Sequence, residues 1–88
     1  MLPPSWTDNL RRLYWFKRSA RTSAARRQAW RRIAAEKKRL LSAGVDYLEL
    51  HLWCRHLTAP DNPNALARLE RYYVQRPLFE PPTWPNGA

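Results

Sequence analysis

Between Arg26 and Arg39 the chain carries seven cations and one acid, Glu36. Guanidinium groups at helical spacing suit one kind of chemistry best, the capture of phosphate or carboxylate oxygens through paired N–H donors. At 3.6 residues per turn Arg27, Arg31 and Lys38 share one side, with Arg26, Arg32 and Arg39 flanking them. A solvated helix face normally mixes signs, and this one does not. A second cluster, Arg11, Arg12, Lys17 and Arg18, interleaves with Tyr14-Trp15-Phe16. Three consecutive aromatics cannot share one helix face. Trp15 lies opposite the Leu10-Leu13-Tyr14 side, where it either stacks on a base, anchors a protein partner, or is covered by the tail or the next helix.

These clusters dominate the charge of the whole chain. Residues 1 to 43 hold 12 Lys/Arg against Asp8 and Glu36, and residues 44 to 88 hold 4 against 5 acids, within a net charge of +9. Concentrated like charge repels itself, so a cationic face of this kind implies an anionic counterpart: nucleic acid, an acidic protein surface or anionic lipid. The excess of Arg over Lys, 13 to 3, fits either phosphate recognition or a GC-rich genome.

Other chemistry is poorly supported. His51, Cys54 and His56 suggest a metal site, but His56 sits about 140° around the helix from His51 and no second ligand pair exists. Glu49 and His51 diverge on a helix, and neither a nucleophile nor a phosphate loop accompanies them. We therefore expect no metal, no cofactor and no enzyme activity. Ser42-Ala43-Gly44-Val45-Asp46 resembles the turn of a helix-turn-helix. The helix after it is the most apolar of the chain and begins with Asp46 and Glu49, which argues against reading the major groove.

The elements that must position the cations follow from local signals. At 88 residues and 44% apolar content, with five Trp, the chain has enough to bury for one folded domain rather than a disordered basic tail. The scarcity of Gly and the placement of Pro leave long uninterrupted stretches, which predict helices at about 8–20, 23–42, 47–58 and 63–75. The first has an apolar side of Leu10, Leu13, Tyr14 and Phe16. The second, capped by Thr22 or Ser23, has Ala29, Trp30, Ile33, Ala34, Leu40 and Leu41. Whether these two are one bent helix or two is open. Gly44 ends the second, and Asp46 starts the third, with Glu49 reaching back to complete a capping box and Val45 stapled on Leu50. The third carries Tyr47, Leu48, Leu50, Leu52, Trp53, Cys54 and Leu57, apolar nearly all round. Asn62 or Asp61 caps the fourth, with Pro63 in its first turn and Leu66, Leu69 and Tyr73 as its stripe. From residue 77 to 88 the proline content predicts an extended arm whose Phe79 and Trp84 either fold back on the body or anchor a partner.

The reading is an all-α domain over residues 1–76, a small three- or four-helix bundle with an extended Pro-rich C-terminal arm. The single Cys54 and the lack of a signal-like or membrane-spanning run predict a soluble, cytoplasmic protein. The helix-two stripe is too rich in Ala for insertion at a membrane surface. The expected function is nucleic-acid binding, DNA or RNA, through backbone phosphates without strong sequence preference. Arg11, Arg12, Lys17, Arg18, Arg26, Arg27, Arg31, Arg32, Lys38 and Arg39 supply the charge, with Trp15 as a candidate stacking group. The alternative is a protein–protein interaction module, an inhibitor or adaptor from a phage, plasmid or other mobile genetic element. It would dock its basic face on an acidic surface such as that of a nucleic-acid-processing enzyme. Dimerisation through spare aromatic surface stays open.

Overall fold

A computed structural model describes residues 3–79 and shows four α-helices, α1 (Thr7–Ser19), α2 (Ser23–Ser42), α3 (Tyr47–Thr58) and α4 (Pro63–Phe79). No strand occurs among the described residues, and none of their helices is long and apolar enough to cross a membrane. The fold is a small all-α bundle.

Local chemistry sets most helix ends. Pro4 receives both the Thr7 N–H, at 3.0 Å, and the Thr7 hydroxyl, at 2.7 Å, on its carbonyl, which winds the chain into α1. Ala20 is extended, with ψ 132°, so α1 and α2 are two helices. The hydroxyl of Thr22 then accepts from the Ala25 N–H at 3.0 Å, satisfying a donor that α2 leaves open. At the far end of α2 Gly44 takes φ +99°. Its N–H bonds the Leu41 carbonyl and the Val45 N–H bonds that of Leu40, the paired pattern of a Schellman C-cap. Asp46 caps α3 by accepting from the Glu49 N–H at 3.0 Å. Asn62 does the same for the Asn64 N–H at 2.9 Å, with Pro63 opening α4.

The helices pack as two pairs. α1 and α2 are antiparallel, shown by Asn9 sharing a groove with Glu36 and Arg39 at one end and Ala20 one with Ala25 at the other. α4 packs on α3, and α3 lies against α1. The core is a single cluster that includes Leu10, Leu13, Tyr14, Ile33, Leu40, Leu50, Trp53, Cys54, Leu57 and Leu69. Trp6 meets Trp53 edge to face, with ring centroids 6.5 Å apart. Burial raises the pKa of both the Tyr14 hydroxyl and the Cys54 thiol above their ordinary values, so each is held neutral.

Several expectations need correction. α4 continues through Pro77 to Phe79, into the segment expected to be extended. Pro77 has no N–H to donate, so one backbone hydrogen bond of the helix is forfeited in its last turn. The remainder of the arm, including Trp84, lies outside the described residues. Trp30, at 50% exposure, and Leu41, at 40%, leave the core stripe of α2, as does Ala34. Buried on α2 are Ala29, Ile33, Glu36 and Leu40, a narrower stripe, and α2 packs on α1. Phe16 is half exposed, and Tyr47 and Leu48 at the start of α3 face outward. So small a bundle has too little interior to accept every apolar side chain. Glu49 does not reach back to its own helix start. It is buried and accepts a short hydrogen bond from the Tyr73 hydroxyl, which in turn accepts from Trp53 Nε1 at 2.8 Å. The Tyr72 hydroxyl donates to Asp46 Oδ2 at 3.2 Å, so α3 and α4 are joined by a polar network as well as by Leu50, Trp53 and Leu69.

Candidate functional site

Because Tyr14 and Arg18 reach α3, the opposite flank of Leu13 on α1 faces away from it. Tyr14 lies beside Cys54 and Thr58, and Arg18 Nη1 donates to the Leu57 carbonyl at 2.5 Å. By helical spacing Arg12 and Phe16 lie on the other side of Leu13. There they line a groove along the α1/α2 seam with Arg32, Ala35, Glu36 and Arg39, enclosing about 490 Å³. The groove continues past Phe16 and Arg32 into a second pocket of about 330 Å³ lined by Ser19, Ala20, Ala25, Gln28 and Ala29. Small side chains keep its floor low, and three arginines stand along it.

Glu36 organises the charged end of this groove. Its carboxylate is 6% exposed and takes a two-pronged hydrogen bond from Arg39, Nε to Oε1 at 2.9 Å and Nη2 to Oε2 at 2.6 Å. Those bonds, with a further one from Asn9, hold the Glu36 carboxyl below its usual range against the opposing effect of burial. Arg39 is raised in turn by the same pair. Its side chain is still 63% exposed, and a guanidinium has five N–H groups, so donors remain for an outside ligand. Arg12 donates to Asn9 Oδ1 at 2.6 Å, which orients it without neutralising it.

The remaining candidate residues separate into distinct settings. Among the described residues Trp15 is 56% exposed and meets Phe16 edge to face at 5.3 Å. Arg11 and Arg12 stand one turn before it and Arg18 one turn after. Arg11 pairs with Asp8, and Arg18 is turned toward α3. Lys17 lies on the far side of the hairpin, its Nζ 4.7 Å from the Trp30 ring centre, with Lys37 at 5.9 Å. Arg26 bends over the α1/α2 connection, 3.4 Å from both the Ala20 carbonyl and Ser23 Oγ. Arg27, Arg31 and Lys38 are exposed on the back of α2. The cations thus form an arc around the hairpin, from the seam groove to the back of α2, rather than one flat sheet.

Asp46 and Glu49 do not neutralise that arc. Among the described residues the ion pairs are Arg11 with Asp8 and Arg39 with Glu36. Asp46 and Glu49 are engaged with α3 and α4. Sequence reasoning missed Phe16 and Trp30 as surface groups because it placed both in core stripes; Arg12 one turn before Phe16, and Arg26 and Arg27 one turn before Trp30, were the available signal. His51, Cys54 and His56 do not converge. His51 stacks on Tyr47, Cys54 is buried, and His56 packs against Trp53. Among the described residues no cluster of three His, Cys, Asp or Glu can hold a metal ion.

The fold and site define a small basic helical bundle whose first hairpin carries the charge. Comparisons with protein-family models, with curated proteins and with solved structures found no match.

Proposed function

We propose that this protein binds nucleic acid through the α1/α2 hairpin, engaging backbone phosphates without strong sequence preference. The observation that carries the reading is the arc itself: Arg12, Arg32 and Arg39 along the seam and Arg27, Arg31 and Lys38 on the back of α2, with one buried carboxylate, Glu36, as its partner. A polyanion is the ligand that such an arc satisfies at many points together. The buried Cys54 thiol suits a reducing compartment, and the cytoplasm is the proposed location.

The test is a titration against labelled duplex DNA, single-stranded DNA and RNA at several salt concentrations. If about five phosphates of a duplex are neutralised, log affinity falls with log salt at a slope of about −4.5. Charge reversal at Arg27 and Arg31 should weaken binding to all sequences alike. Absence of binding at low salt rejects the proposal.

A second reading has an observation of its own. Tyr47, Leu48 and Val74, 70%, 48% and 78% exposed, are apolar surface on the other helix pair. An interaction module would use them as anchors while the basic arc met an acidic partner. A stoichiometric protein that survives nuclease treatment in a pull-down, with no affinity for nucleic acid, would favour that reading.

A further inference from the structure

Resting on the nucleic-acid reading, we infer that the ligand of the seam groove is a single-stranded polynucleotide, its bases stacked on Phe16 and Trp15 and its phosphates held by Arg12, Arg32 and Arg39. Phe16, 50% exposed, lines the groove with the three arginines, and Trp15, 56% exposed, adjoins it edge to face on the outer side of α1. A duplex keeps its base faces inside its own stack and offers such rings nothing to stack on. It also presents a convex rod about 20 Å wide, whereas the seam is a concave furrow between helix axes about 8–10 Å apart. A single strand brings unpaired base faces and phosphates together, the combination that such a groove satisfies.

The dimensions agree. From Asp8 to Ala20 the furrow runs about 18 Å along α1, enough for a strand at the short end of known site sizes, about four nucleotides. The pocket beside Phe16, about 330 Å³, has room for one base against the ring, with Gln28 able to hydrogen-bond its edge. Trp30, the other exposed aromatic amid cations, is different. Lys17 already sits over its ring at 4.7 Å.

The experiment is fluorescence anisotropy with labelled strands of about 12 nucleotides, one DNA and one RNA of matching sequence, and the corresponding DNA duplex, at about 50 and 200 mM salt. Wild-type protein should bind at least one single strand about tenfold tighter than the duplex, and the stronger of the two names the sugar. Trp15→Ala and Phe16→Leu should each lower that affinity about five- to tenfold, leave duplex binding unchanged and keep the wild-type circular dichroism. Ala67→Ser, at an exposed position of α4, should alter neither. Equal affinity for duplex and single strands, with both aromatic variants silent, overturns this inference and leaves the broader reading standing. Failure to bind any of the three at low salt overturns both.

Discussion

The Arg18 guanidinium, on α1, donates a 2.5 Å hydrogen bond to the backbone carbonyl of Leu57, the penultimate residue of α3 and 39 positions away in sequence. Carbonyls in the last turn of a helix have no partner within it, and that end of the helix attracts positive charge. One cation of the basic hairpin therefore ties α1 to α3.

Arg18→Gln should lower stability by about 1 kcal/mol, the usual contribution of a partly exposed charge-assisted hydrogen bond. Arg31→Gln, on the exposed back of α2, should change stability by less than about 0.5 kcal/mol. Urea midpoints of the two variants check the contrast, and equal midpoints would show that Arg18 holds nothing.

Glu36 links stability to pH. Its folded-state pKa lies below the ordinary 4.5, chiefly because Arg39 bonds the ionised form. The stabilisation is accordingly present above about pH 4.5 and is lost as pH falls through the lower folded value. Glu36→Gln should be less stable than wild type at about pH 7, with the gap closing toward about pH 3. The same variant frees Arg39 from a carboxylate. It should bind nucleic acid more tightly and steepen the salt slope by up to about 0.7 for a single strand, one further phosphate's worth. Denaturation at the two pH values, with one salt titration, measures both effects.

Tyr73→Phe removes the hydroxyl that serves both Trp53 Nε1 and the buried Glu49 carboxylate. A buried polar group stripped of a partner costs about 1–3 kcal/mol. Tyr72→Phe, which removes a 3.2 Å bond to the exposed Asp46, should cost about 1 kcal/mol or less. Thermal melts of the two variants should rank them in that order.

Gly44→Ala should destabilise by about 1–2 kcal/mol through backbone conformation alone. The residue holds φ +99°, and a methyl group there would meet no atom within 4 Å. Gly44→Asn should cost less, since Asn tolerates the left-handed region. If Ala and Asn prove equally neutral in melting experiments, the Schellman cap is not what ends α2.

The sequence alone determined the helices and most of their ends. Thr22, Gly44, Asp46 and the Asn62-Pro63 pair act within a few residues, and short-range hydrogen bonding and backbone sterics decide them. It also determined the charge asymmetry, which is a matter of composition. Tertiary structure decided which apolar residues are covered. Ile33 and Trp30 belong to the same candidate stripe, yet one is fully buried and the other half exposed, because the tertiary packing, with α1 docked on α2, selects the part of the stripe that is sheltered. It likewise decided that Arg18 is tethered and that Glu49 is turned away from the cations, since Arg18 with Leu57 and Glu49 with Tyr73 join residues distant in sequence. Local propensity acts over a turn or two of chain, whereas burial and the pairing of charge depend on which surfaces meet.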